Sequence, residues 1–224
     1  MADFSFEKRV LESGHRSVAG VDEVGRGCLF GPVVAAAVVF PPRTCTGAAP
    51  AWMADIDDSK RVRPAERERL AGLILRDADM AGVGLATSRE IDALNILQAV
   101  RLAVLRAVAS LPRAPDILLV DGFPLRDVKY HQMGLCGGDR LSVSIAAASL
   151  VAKVFRDGLM RRLDPLFGGY GIARNKGYGT PEHFRGLGIA GPTLLHRRSF
   201  FLGPNPAGSG AATIIPVKRE SRRK

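Results

Sequence analysis

Two apolar runs flank a glycine-rich interruption between residues 17 and 40, which predicts neighbouring strands over 17–25 and 32–40. The second run, Val33-Val-Ala-Ala-Ala-Val-Val39, has no polar position and so predicts a strand covered on both faces. Residues 41–50, opened by Pro41-Pro42 and closed by Pro50, read as a loop. Pro64 then begins a helix in which Leu70, Leu73, Ile74 and Asp77 define one buried and one wet side. A short strand over 81–87 leads into Thr87-Ser-Arg-Glu90, a capping box in which Thr87 and Glu90 satisfy each other's backbone N–H at a helix start. The helix behind it is expected to be long, with Ile91, Leu94, Leu97, Leu105 and Val108 at helical spacing. A buried-type strand over 116–121 ends in an acid. A further helix over 142–163 carries Ile145, Ala148, Ala152, Phe155 and Leu159 on one side.

Strands alternating with helices, opened by two adjacent strands, predict an α/β fold with a central mixed sheet flanked by helices. The last third changes character, with Gly168-Gly-Tyr-Gly171 and Lys176-Gly-Tyr-Gly-Thr180 followed by basic turns. The expected division is a catalytic core over 1–163, a small helical region over 164–203 and a disordered basic tail over 204–224.

Composition narrows the class. With 224 residues, 46% of them hydrophobic, the chain can bury one sizeable core. A net charge of +10 favours a polyanionic partner, with nucleic acid ahead of a membrane surface. Cys28, Cys45 and Cys136 are odd in number and widely spaced, which argues against both a zinc pattern and a disulfide framework. The longest apolar run, residues 28–40, is too short to cross a bilayer, and the N-terminus lacks a signal-peptide core. A soluble protein of the reducing cytoplasm is therefore expected. No glycine loop with lysine and serine of the nucleotide-binding type is present.

The chemistry concentrates in a few acids. Asp22 and Glu23 interrupt an apolar strand, and acids are rarely buried unless paired or bound to a cation. Gly25, Arg26 and Gly27 follow at once; glycine admits close backbone approach, and arginine suits an anion. Asp121 ends a strand, and Asp139 lies between Gly137-Gly138 and the helix that starts near Ser142. Clustered carboxylates repel one another, and hard divalent cations compensate them. Two such ions about 3.5–4 Å apart can activate a water and stabilise the leaving oxygen in phosphodiester cleavage.

Other readings stay open at this point. Each acid alone could serve at the surface, and Asp139 could simply cap the helix. Successive strand residues point to opposite faces, so Asp22 and Glu23 share a site only if the strand ends, bulges or offers backbone oxygen there. Cys28 reads as a buried structural cysteine, and Lys153 with Asp157 as a surface ion pair. Arg197 and Arg198 read as exposed members of a basic track, and His183 as a weak candidate for the substrate backbone.

Gly20-Val-Asp-Glu-Val-Gly-Arg-Gly27, Asp58-Ser-Lys60, Leu94-Asn-Ile96, Val120-Asp-Gly122, Gly138-Asp139, Ile145-Ala-Ala-Ala-Ser149, Ala152-Lys-Val154, Arg156-Asp157 and Lys176-Gly-Tyr178 occur in the order found in type 2 ribonucleases H. Over about residues 17–200 the chain resembles the bacterial ribonuclease HII family. The resemblance implies an RNase H-like fold. It implies endonucleolytic cleavage of the RNA strand of RNA–DNA hybrids and of single ribonucleotides embedded in duplex DNA. The ends would be 3′-hydroxyl and 5′-phosphate, made with two divalent ions, Mn2+ or Mg2+. Carried over by position, Asp22, Glu23, Asp121 and Asp139 match catalytic metal-binding acids. Gly25, Arg26 and Gly27 match the loop that grips the nucleotide, Tyr178 the tyrosine that packs on its ribose, and Lys60 could reach a phosphate. Cys28, Phe30 and Phe123 depart from the common pattern without touching those acids. The family's ribonuclease HIII relatives are the nearest alternative, and a catalytically silent nucleic-acid-binding module is the alternative from another class. A monomer suffices, and a replication-clamp contact is left open.

Overall fold

The computed structural model describes residues 2–56 and 62–203. The two apolar runs form antiparallel strands β1 (Val18–Val24) and β2 (Val33–Val39). β3 (Met80–Ala86) pairs antiparallel with the other edge of β2, while β4 (Ile117–Asp121) and β5 (His131–Leu135) extend the sheet in parallel from β1. The order β3-β2-β1-β4-β5 is the mixed sheet that the alternation predicts. The helices, in chain order, are α1 (Ser5–Glu12), α2 (Pro42–Thr46), α3 (Pro64–Asp77), α4 (Ser88–Leu94), α5 (Ile96–Ala109), α6 (Val143–Leu163), α7 (Ile172–Asn175) and α8 (Pro181–Ala190). None among the described residues is long and apolar enough to cross a membrane.

Every residue of β2 is buried because helices cover both of its faces. Val33, Ala35, Ala37 and Val39 pack with Ala99, Ala103 and Ala107 of α5 on one side. Val34, Ala36 and Val38 pack with α6 and with Leu70 and Ile74 of α3 on the other. Close approach of α6 to β1 depends on Gly20: a Cβ there would sit 2.1 Å from the Ser144 carbonyl carbon. α1, which the apolar pattern did not announce, ties down the start of α6. The fully buried Glu7 accepts hydrogen bonds from Ser142 Oγ (2.6 Å) and from the Ser144 N–H (2.9 Å) at that helix N-terminus.

Local departures from the predicted pattern have identifiable causes. The loop expected over 41–50 contains α2. The long helix expected after the capping box is broken at Asn95, where φ is 72° and the side chain accepts from the Leu97 and Gln98 N–H groups. Asn95 thus ends α4 and caps α5. The break rotates Leu94 and Leu97 outward, and the buried stripe of α5 runs through Ala99, Val100, Ala103, Val104, Ala107 and Val108 instead. On α6 the buried line is Ala148, Ala152, Arg156 and Met160, spaced by four, while Phe155 is exposed. β5 escaped prediction because it is an edge strand with only Leu135 buried. After α6 the chain packs α7 and α8 around Tyr170, Ile172 and Leu187, which share a core with Leu29, Phe30 and Met160. Lys60 and the tail over 204–224 lie outside the described residues.

Candidate active site

β1 and β4 run parallel with Val21 beside Val120, so the next residues, Asp22 and Asp121, stand side by side at the carboxyl end of the sheet. Asp22 is on the α6 face, where Ser149 hydrogen-bonds to its carboxylate, and its Oδ1 accepts from the Glu23 N–H (2.7 Å). Asp121 Oδ1 accepts from the Gly138 N–H (2.7 Å), which holds the turn carrying Asp139 against the same edge. Asp139 does not cap α6; Ser142 does, accepting from the Ile145 N–H. One cavity of about 530 Å³ is lined by Asp22, Glu23, Asp121, Asp139, the loop residues 25–27 and Tyr178, together with Arg67, Ser149 and Lys153.

Glu23 obeys the alternation and points to the opposite side of the sheet from Asp22. No bulge brings it round, since Glu23 pairs with Ala35 in unbroken register. It belongs to the site because β1 ends one residue later. At that edge it also lines a second cavity of about 550 Å³, bounded by Leu97, Val100, Val104 and Phe123. Its carboxylate lies 3.6 Å from the Arg26 guanidinium.

Electrostatics single out Asp22. Burial, followed by the neighbouring Glu23 and Asp121 charges, pushes its pKa well above the usual carboxylate range. Glu23 is raised too, first by burial, although Arg26 opposes the shift. Among the described residues no three acids, histidines or cysteines already stand as a closed metal-ligand set. The donors are nonetheless anionic oxygens under mutual repulsion, and that chemistry fits a hard divalent cation.

Two buried arginines brace the loop over 25–27 and the segment that follows it. Arg197 donates from Nη2 to the Gly25 carbonyl (2.7 Å), from Nη1 to the Arg26 carbonyl (2.9 Å) and from Nε to the Gly31 carbonyl (3.0 Å). Arg156 donates to the carbonyls of Phe30, Pro32 and Lys176. Gly25 has φ 88°, and a Cβ there would lie 2.1 Å from Arg156 Nε, so this position accepts only glycine. Gly27 differs: a Cβ would meet nothing within 4 Å, and the residue borders the cavity.

Tyr178 lines the same cavity. It is 41% exposed and neighbours the fully buried Cys28, whose thiol donates to the Lys176 carbonyl (3.5 Å). The Tyr178 carbonyl is fixed by a relay. The Thr193 N–H and hydroxyl reach His196 Nδ1 (both 2.9 Å), so a neutral His196 carries its proton on Nε2 and donates to His183 Nε2 (3.0 Å). His183 Nδ1–H then donates to the Tyr178 carbonyl (2.9 Å).

Several expectations are corrected here. His183 is fully buried and faces His196, so it is not available to a substrate backbone. Arg197 is fully buried rather than part of an exposed track, although Arg198 is exposed. Lys153 and Asp157 form a 2.8 Å pair with side chains only 14% and 9% exposed, not a surface pair. Arg156 was missed as a buried group, yet its spacing of four from Ala148 and Ala152 carried the signal. Arg197 had no such signal, because the turn that buries it has no periodicity.

A sheet of this order with acids at the carboxyl ends of β1 and β4 is the architecture of ribonuclease H-type α/β nucleases. Solved structures agree: a ribonuclease H2 from Pyrococcus horikoshii OT3 matches with TM-score 0.66 and 28% identity, covering 83% of this chain and 94% of that one. Bst-RNase HIII in complex with Mn2+ shares the fold at TM-score 0.61 and 22% identity, over 84% of this chain and 68% of that one. Ribonuclease HII of Moorella thermoacetica is 49% identical over 197 residues, 88% of this chain and 92% of its own. The family model for ribonuclease HII matches residues 19–202, and the chain belongs to the ribonuclease HII family. It is a ribonuclease H, a hydrolase of RNA–DNA hybrids.

Proposed function

We propose that the cavity at the end of β1 and β4 cuts the RNA strand of hybrids, and also single ribonucleotides embedded in duplex DNA, leaving 3′-hydroxyl and 5′-phosphate ends. The observation that carries this reading is the pairing of Asp22 and Asp121 on one face with the residue 25–27 loop and Tyr178 lining the same cavity. Asp22, Glu23, Asp121 and Asp139 are the residues that would hold two divalent cations, Mn2+ or Mg2+. Cations there would supply an activated water and neutralise charge at the leaving oxygen. Arg26 contacts a phosphate once its pairing with Glu23 is released. The amides of residues 26 and 27 test for the 2′-hydroxyl, the one group that distinguishes RNA from DNA at a given site. Tyr178 offers a flat face to the ribose. The region over 164–203 supports the duplex, and one chain acting in the cytoplasm contains the whole site.

The test uses duplex DNA with a single ribonucleotide, with and without chelator, beside an Asp121→Asn variant. Cleavage is expected only for the parent protein with Mn2+ or Mg2+. Cleavage that persists in chelator or in the variant, or that never occurs, would overturn the reading. A parallel duplex with a longer RNA stretch compares junctions with long hybrids.

A further inference from the structure

We propose that Arg197 is a positioning residue for ribonucleotide selection: from inside the core it sets the peptide planes of residues 25–27 so that two consecutive N–H groups face the cavity. The inference rests on the functional reading above and extends it to a residue that touches no substrate. Across a planar trans peptide the C=O and the N–H point in opposite directions. Arg197 draws the Gly25 and Arg26 carbonyls inward at 2.7 and 2.9 Å, so the Arg26 and Gly27 N–H groups of those same peptides point outward. Neither N–H has an acceptor among the described residues, and both residues line the cavity. The missing Cβ at Gly27 leaves its amide open to close approach.

Arginine is suited to this work because its planar fork presents five donors in fixed directions, and here three of its nitrogens satisfy three carbonyls. Lysine keeps the charge, but its donors radiate from one nitrogen and cannot reproduce bonds made from three nitrogens of a planar fork. Phe200 lies against the guanidinium, with the ring centroid 5.2 Å from its carbon, which locks the fork from the other side. The neighbouring His196 orients the Tyr178 carbonyl through His183. One short segment, residues 193–197, therefore ties down both the 25–27 loop and the Tyr178 backbone.

The experiment is carried out on the Asp121→Asn background, which leaves substrate uncut, and reads the ratio of affinities for a single-ribonucleotide duplex and the same duplex in DNA. Adding Arg197→Lys should lower that ratio about tenfold, the equivalent of losing one to two well-aligned hydrogen bonds. Leu187→Ala, a cavity in the same C-terminal core, should destabilise the fold without changing the ratio. An unchanged ratio in Arg197→Lys, or an equal change in Leu187→Ala, overturns the proposal. If Arg197→Lys does not fold, the Arg26 and Gly27 amide signals of the parent decide by NMR. They should move to different positions with the ribonucleotide duplex and the DNA duplex, and identical shifts overturn the proposal. A parent that shows no preference while wild type still cuts hybrids sinks the selection role alone. A wild type that cuts neither substrate sinks the functional reading.

Discussion

Asp22→Asn should make the metal-free protein more stable while removing activity. Asp22 and Asp121 are neighbours on parallel strands and share a face, so their charges lie about 5 Å apart, close to the interstrand spacing. At an effective dielectric of about 20, two unit charges at that distance repel by about 3 kcal/mol. Partial protonation of Asp22 and relaxation of Glu23 toward Arg26 reduce what can be measured to roughly 1–3 kcal/mol. Asparagine keeps the oxygen that accepts from the Glu23 N–H, and its amide N–H can donate to the Ser149 hydroxyl that faced the carboxylate. The sign follows from linkage. The folded pKa of Asp22 is raised, so no penalty exists below the unfolded carboxylate value near 3.9, and one grows as pH rises through and above it. Urea unfolding in chelator should therefore show the variant more stable near neutral pH and the two proteins converging toward about pH 4. Added Mn2+ should raise the melting temperature of the parent more than that of the variant. A variant less stable than the parent at neutral pH, or stabilised equally by Mn2+, would refute the account of this carboxylate cluster.

Two further perturbations probe the scaffold around the site. His196 is held neutral by burial, with its pKa driven down to about 3, and His183 is lowered for the same first reason. Stability should be complete above the unfolded value near 6.5 and fall as pH drops toward 3, by up to about 1.4 kcal/mol per pH unit from His196, with His183 contributing in the same direction. His196→Gln should flatten that slope in denaturant titrations, and an unchanged slope would show that the relay is not what titrates. Asn95→Ala loses both a cap and tolerance of positive φ, for a combined cost of about 2–3 kcal/mol. Asn95→Gly should recover the φ part only, and equal losses in the two variants would rule out backbone strain at the α4–α5 break.

The sequence by itself determined the strands and helices whose burial is periodic. β2 has no polar residue, and Thr87 with Glu90 forms the capping box, so both were legible from local pattern. Asp22, Asp121 and the 25–27 loop were legible as candidates because acids and glycines contradict the apolar strands that carry them. Which face each acid takes was decided only by tertiary structure. The parallel register of β1 and β4 sets Asp22 beside Asp121, and the end of β1, not a bulge, lets Glu23 reach the same edge. Arg197 reads locally as charge for solvent, and Arg156 is signalled only by its spacing of four from Ala148 and Ala152. They are buried because backbone carbonyls from distant segments converge on them, and no local pattern encodes where those carbonyls will point. Side-chain type and spacing thus announced the candidate acids, while the donors that orient the loop beside them exist only once the chain has closed around it.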